Sequence, residues 1–508
     1  MNSKAAFLRA ASLAAAAALA AASALGATGT VFDDRNGDGV REPGEPGLAS
    51  VAVSNGVDVV LTGPDGAYQV PDRPGDAVFV IKPRGWRPPV DGENLPLFHA
   101  PGGAGAPVDF PLRKADEPDD LRALILTDPQ PSSPLEVGYL SRGLVEGVGR
   151  RDDVAFGVTL GDVVYDRPDL FHPVNAALAR IGVPWYSVPG NHDLALGTPD
   201  ERAAAAPFEA VYGPSTYAFH AGPALFVALD DVRPLGGPRY IGGLRNGQFE
   251  FLGNLLRQTP PGEWVVLLMH MPLFPPDPSG TETFRAADRL RLFGLLGGRR
   301  RVLVLSGHTH YQRHVMHGPD DGWTGKDPIH EYNVAAACGG FWGGPPDRDG
   351  IPAATMWDGT PPGYALLQFE GERVSLDYVP SRMPADHQIA LHAPEAVAPR
   401  QGFVSFYANV FNGHDGWLVE ARVDNRAWNP VRRILGWDPS YAADFLAQDS
   451  DPHPSARPRL PDPAICYHLW RGPIPADLAP GRHVLHVRAT DPEGRVFSAE
   501  SALDVVKP

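Results

Sequence analysis

The chain has 508 residues, more than one hydrophobic core usually serves, so we expect two to four domains. Hydrophobic residues make up 43% and charged residues 20%, a composition that excludes a chain disordered throughout and indicates an ordinary globular protein. The formal net charge is -16, and no long cluster of Lys and Arg offsets it. This excludes a nucleic acid polymer as the expected partner, because binding it requires a basic surface.

Residues 1–27 predict a secretory signal peptide. Lys4 and Arg9 precede an Ala-rich apolar run over residues 10–25, and Ala22-Ser23-Ala24 fits a cleavage site. The alternative, a membrane anchor, is disfavoured because the run is shorter than the roughly 20 residues a span needs. We therefore expect a periplasmic or secreted bacterial protein with no membrane span after signal removal. The sequence does not indicate an oligomeric state.

The two cysteines, Cys338 and Cys466, leave two alternatives open. They pair as a disulfide in an oxidising compartment, or they are separate buried thiols.

Residues 28–114 read as a small β-sandwich. Short runs such as 51–53, 57–61 and 67–70 have the composition of strands, and an Asp65-Gly66 turn precedes the last of them. A polar linker over residues 114–120 follows, and after it predicted strands alternate with predicted helices.

The start of this segment carries an oxygen-rich loop that matches a calcium-binding pattern at every specified position. Its residues are Asp34, Asn36, Asp38 and, after Gly39 and five further residues, Glu45. We expect one structural Ca²⁺ there. The alternative is a turn rich in Asp and Asn that satisfies its own backbone.

Residues 115–392 alternate predicted strands and helices, which indicates an α/β domain with a largely parallel sheet. Predicted strands are 121–126, 154–160, 184–188, 224–229, 264–269, 302–305, 365–369 and 374–378, and predicted helices are 135–150, 170–181, 248–257 and 283–296. Residues 393–508 form a mostly β domain, with predicted strands at 403–410, 417–423, 483–489 and 498–505 and a long surface loop at 449–463.

Five short motifs carry metal-ligand side chains, and each follows a predicted strand closely. They are Asp128-Pro129-Gln130, Gly161-Asp162-Val163-Val164-Tyr165-Asp166, Gly190-Asn191-His192-Asp193, His270, and Gly307-His308-Thr309-His310. Because parallel strands end at the same edge of a sheet, we expect these donors to converge in a crevice that holds two metal ions.

The ordered set resembles that of the calcineurin-like metallophosphoesterase superfamily, which reads D-x-H, G-D-x-x-D, G-N-H-D or G-N-H-E, a later His, and G-H-x-H. The connecting sequence is also similar to a secreted bacterial subgroup with small β domains on both sides of the core. Segments 160–166, 208–209, 212–214 and 339–344 carry that similarity. The implied fold is a core of layered β-sheets flanked by helices, with an N-terminal β-sandwich and a C-terminal mostly β domain.

The resemblance implies that Asp128, Asp162 and His310 hold one metal ion. Asp162, Asn191, His270 and His308 hold the other, with Asp162 as the bridge. Gln130 stands where many members of the family have His, and an amide oxygen is a weaker donor than imidazole. Expected cofactors are two divalent transition metal ions, Mn, Fe or Zn.

The expected reaction is hydrolysis of a small-molecule phosphoester, a phosphodiester or a phosphomonoester, by a hydroxide shared between the two ions. His192 is the expected hydrogen-bond or proton donor to the leaving oxygen. Asp166 is expected to orient His192, with Asp193 as the competing candidate.

Two alternative functions remain open, a nucleotide pyrophosphatase-type hydrolase and a catalytically weak surface-binding protein on a phosphoesterase scaffold. The H-x-H-x-D-H run of metallo-β-lactamases and the H-E-x-x-H of zinc proteases are absent from the sequence.

Several other residues have a structural and a functional interpretation. We interpret His220, His387 and His392 as structural. His314 and His317 follow the last motif closely, but for them a position at the mouth of the site is the less favoured alternative. Tyr165, Tyr240 and Trp342 line the pocket or pack in the core.

Overall fold

The structure is a computed structural model, and it describes residues 26–71, 73, 76–102, 107–198, 201–275, 282–398, 402, 404–450 and 459–506. The expected signal peptide falls almost wholly outside these residues. Among the described residues, no helix has the length and apolar character that crossing a bilayer requires.

The N-terminal segment forms two four-stranded sheets. In spatial order, the first holds Ala67–Val70, Ala27–Asp33, Phe110–Lys114 and Trp86–Arg87, and the second holds Val59–Leu61, Ala52–Ser54, Ala77–Val80 and His99–Pro101. The strand Ala27–Asp33 runs antiparallel to Ala67–Val70 and parallel to Phe110–Lys114. The predicted strands of this segment are confirmed.

The α/β core contains two sheets rather than one. In spatial order, the first holds Trp185–Val188, Phe156–Leu160, Leu121–Leu126, Gly363–Glu370 and Arg373–Pro380. The second holds Tyr217–Ala221, Ala224–Ala228, Trp264–Leu268, Val302–Ser306, Ile329–Asn333 and Arg313–His317. In the first sheet, Trp185–Val188, Phe156–Leu160 and Leu121–Leu126 are parallel, and the two remaining strands pair antiparallel. In the second sheet, the central strands are parallel and the pair at each edge is antiparallel.

The second sheet begins with a hairpin of Tyr217–Ala221 and Ala224–Ala228. The second strand of this hairpin pairs with Trp264–Leu268. A separate two-stranded hairpin, Val232–Pro234 with Tyr240–Gly242, leaves this sheet near its carboxyl edge.

Helices cover the sheets and supply several of the connections. The α-helices are Pro134–Leu140, Glu146–Val148, Phe171–Leu178, Glu201–Tyr212, Asn246–Gln258, Ala286–Leu296 and Pro439–Asp449; Ser141–Val145 is a π-helical segment, and Pro168–Leu170, Ala179–Ile181, Asn191–Asp193 and Pro319–Asp321 are 3₁₀ turns. The helix predicted from residue 283 begins at Ala286, and the helix Pro439–Asp449 was not predicted.

The C-terminal segment forms two further sheets. One holds Ile389–His392, Ser405–Val410, Cys466–Pro473 and Arg432–Gly436, and the other holds Ala396–Val397, Val496–Val505, Gly481–Thr490, Leu418–Val423 and Asn429–Pro430. The predicted β character of this region is confirmed. Part of the predicted surface loop, residues 451–458, lies outside the described residues.

The N-terminal module shares a continuous hydrophobic cluster with the core. Phe79 of the module packs edge to face on Phe251 of the helix Asn246–Gln258, with 6.0 Å between ring centroids. Lys82 donates to the carboxylate of Glu117 at 3.0 Å and to the carbonyl of His220 at 2.7 Å. This module is therefore packed against the core.

Candidate metal centre

The predicted ligands lie at the carboxyl ends of parallel strands in both core sheets. Asp128, Asp162 and Asn191 follow strands of the first sheet, and His270 and His308 follow strands of the second. Short connections between strand and ligand leave little freedom to the backbone. The two sheet edges thus bring the motifs into one crevice.

One half of the crevice gathers four of the predicted residues. His270 Nε2 lies 3.1 Å from Asn191 Oδ1, 3.2 Å from His308 Nδ1 and 3.4 Å from Asp162 Oδ2. Ligand atoms of Asp162, His270 and His308 all lie within 4.8 Å of one another, and these three form the one such group among the described residues. Carboxylate, amide and imidazole donors in this arrangement suit a divalent transition metal ion.

The other half contains Asp128 and His310. Asp128 Oδ1 lies 3.8 Å from His310 Nε2 and, although buried, has no hydrogen-bond partner in the structure. Asp128 Oδ2, in contrast, accepts from the backbone N–H of His308 at 3.0 Å. Because a buried carboxylate oxygen without a partner is costly, this atom fits the expected metal ion.

The imidazoles of His270 and His310 are each held through the ring nitrogen that faces away from the crevice. His270 Nδ1 lies 2.9 Å from the carbonyl oxygen of Leu160, and His310 Nδ1 lies 2.5 Å from that of Gly339. When Nδ1–H donates to a carbonyl, Nε2 carries the free lone pair. This is the arrangement of histidines that bind metals.

Gln130 lies in the crevice but presents its amide nitrogen to the carboxylate. Its Nε2 donates to Asp162 Oδ2 at 2.7 Å, and its Oε1 lies 3.6 Å from the thiol of Cys338. In this arrangement Gln130 fixes the carboxylate of Asp162. Its role as a metal ligand stays a prediction.

The buried charges favour a cation at the crevice. Burial opposes charge on Asp162, but the neighbouring His270 outweighs it and holds the pKa of Asp162 below its ordinary value. Burial also opposes charge on His270, yet the Asp162 carboxylate raises the His270 pKa to about 10. Burial and the charge of His270 lower the pKa of His308 to about 3. A divalent ion bound by His270 would take the place of that proton.

Six predicted site residues adopt left-handed backbone conformations, with φ between 47° and 73°: Asp128, Gln130, Asp162, Asp166, His308 and His310. Non-glycine residues rarely adopt this conformation, which costs energy and is concentrated at functional sites. The backbone also approaches closely at Gly190, where a Cβ would lie 2.2 Å from Asp162 Oδ1. Glycine is therefore required there.

His192 and Asp166 form the predicted pair beside the ligands. His192 Nδ1 lies 3.0 Å from Asp166 Oδ1, and the backbone N–H of His192 donates to Asp162 Oδ1 at 2.9 Å. The competing candidate, Asp193, uses its carboxylate to accept from the backbone N–H groups of Val163, Val164 and Gly190. Asp193 therefore shapes the loop, and Asp166 contacts the imidazole.

Aromatic rings lie beside the predicted metal ligands and His192. Tyr165 stacks on His192 with 4.1 Å between centroids, and Tyr240 lies edge to face with His308 at 5.8 Å. Trp342 is buried, and its Nε1 donates to the carbonyl oxygen of Pro129 at 2.9 Å. Tyr165 and Tyr240 thus border the crevice, whereas Trp342 packs in the core beneath it.

Sequence reasoning gave no role to three residues next to His310. The ring of Phe341 lies 4.3 Å from that of His310, and Trp357 stacks on the same imidazole at 5.2 Å. Cys338 Sγ lies 3.8 Å from His310 Nδ1. The glycine-rich run 339–344 was the available signal for the first of these.

Both cysteines are free and buried, so the thiol alternative holds in this structure. Burial raises the pKa of each thiol well above its ordinary value.

The five histidines that the sequence placed outside the ligand motifs as structural or pocket-mouth candidates contact groups outside the crevice. His314 lies 2.9 Å from both His330 Nε2 and Asn412 Oδ1, and His317 lies 2.7 Å from Glu331 Oε2. His220 contacts Glu263, His392 contacts Asp438, and His387 packs against Phe411.

The oxygen-rich loop near the N-terminus makes hydrogen bonds to its own backbone. Asp34 accepts from the N–H groups of Gly37 and Gly39 at 2.7 and 3.2 Å, and Glu45 accepts from Arg35 N at 2.9 Å. These are the contacts expected of a turn whose acidic side chains accept hydrogen bonds from its own backbone. Calcium binding stays a prediction.

Three consecutive segments match calcineurin-like phosphoesterase families. Residues 35–115 match "N terminal of Calcineurin-like phosphoesterase", residues 124–312 match "Calcineurin-like phosphoesterase", and residues 331–497 match "C terminal of Calcineurin-like phosphoesterase". Together they account for most of the chain.

Two solved structures show weak likeness. One is a purple acid phosphatase from seeds of yellow lupin, Lupinus luteus, with 13% identity and a TM-score of 0.36 over 67% of this chain and 66% of that protein. The other is a metallophosphoesterase from Sphaerobacter thermophilus, with 18% identity and a TM-score of 0.24 over 52% of this chain and 90% of that protein. This chain thus spans just under two thirds of the length of the purple acid phosphatase. No curated protein matches the chain.

Proposed function

We propose that this chain, which belongs to the calcineurin-like phosphoesterase family, is a metal-dependent phosphoesterase that hydrolyses small phosphodiesters or phosphomonoesters with two bound cations. The grouping of Asp162, Asn191, His270 and His308 around His270 Nε2 carries the proposal. We assign these four residues to one ion.

Asp128, Asp162 and His310 hold the second ion, and Gln130 supports Asp162. The unpartnered Asp128 Oδ1 supports this assignment, as does the contact of Gln130 with Asp162. When bound, two divalent cations (Mn, Fe or Zn) supply positive charge to the phosphoryl oxygens and lower the pKa of a water.

His192 acts on the leaving oxygen. With its Nδ1–H donating to Asp166, the imidazole presents Nε2 away from that carboxylate, where a protonated ring gives its second proton to a leaving alkoxide. The stacked ring of Tyr165 keeps the imidazole in its plane. Leaving-group protonation lowers the barrier most for esters of poorly acidic alcohols.

The test is turnover by the purified full chain after loading with Mn²⁺, Fe²⁺ or Zn²⁺. Substrates are p-nitrophenyl phosphate, bis(p-nitrophenyl) phosphate and a nucleoside diphosphate conjugate, which distinguishes mono- and diesterase from the pyrophosphatase alternative. Asp162→Asn loses bound metal and turnover together, whereas the exposed Asp349→Asn keeps both. A metal-loaded chain that turns over none of these substrates supports the surface-binding alternative and contradicts the proposal.

We further propose that the protein acts outside the cytoplasm, on the evidence of the signal-like residues 1–27. The measurement is N-terminal sequencing of the protein recovered from the periplasm and medium of a bacterial host. A chain that retains Met1 in the cytoplasm contradicts this location.

A structural Ca²⁺ at Asp34, Asn36, Asp38 and Glu45 is a separate proposal, supported by the oxygen-rich spacing of the loop. Calcium raises the melting temperature of the wild type and has no such effect on Asp34→Asn. Equal responses of the two proteins contradict it.

A further inference from the structure

Two aromatic rings stand exposed beside the residues assigned to metal and proton transfer. Phe341 and Tyr165 each have 38% of their surface exposed, although large aromatic residues usually bury their rings. Phe341 lies 4.3 Å from the ring of His310, and Tyr165 stacks on His192. The two rings face each other edge to face, with 6.0 Å between centroids and 90° between planes. They span the crevice from a metal-binding side chain to the leaving-group side.

The loop that carries Phe341 is strained. Phe341 has φ 55° and the next residue, Trp342, has φ 54°, a conformation that is unfavourable for bulky side chains. Gly339 precedes them at φ 54°, where a Cβ would lie 1.6 Å from the carbonyl oxygen of Ala354. Each left-handed residue costs free energy that the surrounding structure must offset.

The same loop is firmly anchored. Trp342 is buried and bonds to the carbonyl of Pro129, and the backbone N–H of Cys338 donates to the carbonyl of Asp128 at 3.0 Å. Both anchors belong to the first metal-ligand motif. The loop therefore holds the ring of Phe341 at the crevice, where 38% of the residue stays exposed.

Tyr165 is placed with similar precision. Its backbone N–H donates to the carbonyl of Pro131 at 3.1 Å, and its ring lies nearly parallel to His192, at 22°. These backbone contacts therefore fix the position and the exposure of the two rings. Both rings lie next to the atoms where a phosphoryl group would bind.

We propose that Phe341 and Tyr165 form a subsite for a planar ring attached to the phosphoryl group, so that the substrates are aryl or nucleoside phosphoesters. The inference rests on the proposed function of the metal centre. Stacking on an aromatic side chain is available to any planar ring. The two rings contact each other edge to face and so form one aromatic surface beside the residues assigned to metal and proton transfer.

The test measures binding without turnover, by titration calorimetry on the Mn²⁺-loaded full chain. The ligands are phenylphosphonate, cyclohexylphosphonate and methylphosphonate, whose carbon–phosphorus bonds are not hydrolysed. We expect phenylphosphonate to bind about tenfold more tightly than either of the others, because an aromatic pair contributes beyond apolar burial. Cyclohexylphosphonate separates stacking from simple burial of an apolar ring.

The variants are Phe341→Leu and Tyr165→Leu, which keep an apolar side chain on the same backbone. In each, the preference for phenylphosphonate over cyclohexylphosphonate falls to near one. The matched control is Trp437→Leu, an aromatic residue of the C-terminal domain with 56% of its surface exposed, and it keeps the wild-type preference. Metal content is measured for every variant, so that a lost ion is not mistaken for a lost subsite.

A second comparison identifies the natural ring. Adenosine 5′-monophosphate binding more tightly than ribose 5-phosphate, with the difference lost in Phe341→Leu, assigns the subsite to a nucleobase. Equal affinities together with a retained phenyl preference assign it to an aryl group.

The subsite is wrong if the wild type binds the three phosphonates equally, or if its phenyl preference survives both substitutions. Turnover of p-nitrophenyl phosphate, assayed separately, decides the proposed function. A chain that hydrolyses this ester but shows no phenyl preference keeps the function and loses the subsite.

Discussion

His192 is the residue through which the proposed reaction depends on its leaving group. Its imidazole is held by Asp166 on one nitrogen and by the ring of Tyr165 on one face. These contacts support the proposed role of proton donor, and kinetics can separate that role from a structural one.

We expect His192→Asn to lower kcat by about 10²–10⁴-fold for alkyl phosphoesters, because the amide cannot deliver a proton to an alkoxide. For p-nitrophenyl esters the loss is much smaller, since p-nitrophenolate leaves without protonation. The measurement is a plot of log kcat against the pKa of the leaving alcohol for both proteins. Equal losses across the series contradict the role of proton donor.

Gln130 is the departure from the usual donor set. Its amide nitrogen bonds Asp162, so Asp128 and His310 remain as the other side chains of that half. We expect Gln130→His to lower the metal dissociation constant of one of the two ions by about tenfold, because imidazole is the better donor. Equilibrium dialysis with Zn²⁺ measures it, with the exposed Gln258→His as control. An unchanged constant places Gln130 outside the metal sphere.

At the scale of elements, the connection between the core and the strand Cys466–Pro473 supports the His310 loop. Asp358 is fully buried, accepts from Gln312 N at 2.8 Å and lies 2.9 Å from His468 Nε2. The preceding Trp357 donates its backbone N–H to the carbonyl of His310 at 3.2 Å. The C-terminal domain thus contacts the metal-ligand loop through a short polar network.

We expect Asp358→Ala to lower the free energy of unfolding by about 3–5 kcal/mol, because one partner of a buried pair then remains without the other. The metal ion nearest His310 should be lost at lower chelator concentration. Urea unfolding and chelator titration measure the two effects, with the exposed Asp349→Ala as control. A variant with wild-type stability shows that the network does not hold the loop.

At the scale of the whole molecule, a histidine cluster lies where the core meets the C-terminal domain. The cluster is His314, His330 and His414, and it lines a cavity of about 180 Å³ together with Glu493 and Arg495. Burial lowers the pKa of all three, for His330 to about 4, and the charge of His414 lowers the pKa of His314 and His330 further. Arg433 lowers the pKa of His414 as well, and Asp415 opposes it.

A base whose pKa is lowered in the fold takes up a proton on unfolding, so acid favours the unfolded chain. The stability contributed by the cluster is complete above about pH 6.5, the ordinary pKa of His, and is lost as the pH falls towards 4. We expect His330→Gln to lose stability less steeply than the wild type over this window. Urea unfolding at several pH values measures the slope, with the exposed His172→Gln as control. Identical slopes for wild type and His330→Gln contradict the assignment.

Much of the site was predictable because its ligands follow strands directly. The strand at Val302–Ser306, for example, is a run of apolar residues followed at once by Gly307 and His308. Asp166 was the expected partner of His192, but Asp193 stayed a competing candidate, since both lie within a few residues of the relevant motifs, and only the contact separates them. Phe341 had a signal in its glycines, but their meaning depends on backbone angles that a sequence does not state.

Other features needed three-dimensional contacts. The division of the strands into two core sheets depends on which strands pair across long separations, as Gly363–Glu370 does with Leu121–Leu126. The helix Pro439–Asp449 begins at Asp438, whose side chain caps Ser440 and Tyr441, and this signal is only local. The close packing of the N-terminal module on the core leaves no pattern in either segment alone.

The amino-acid sequence by itself determined the donor chemistry, the order of the strands that present it and the β character of both flanking domains. Residue types and local periodicity suffice for these, because strand formation and metal preference act over a few residues. Only the tertiary structure decided which atoms meet: Gln130 with Asp162, Asp166 with His192, and two exposed rings with the ligands. Such contacts join residues far apart in the chain, and their distances depend on the packing of whole sheets and strained loops.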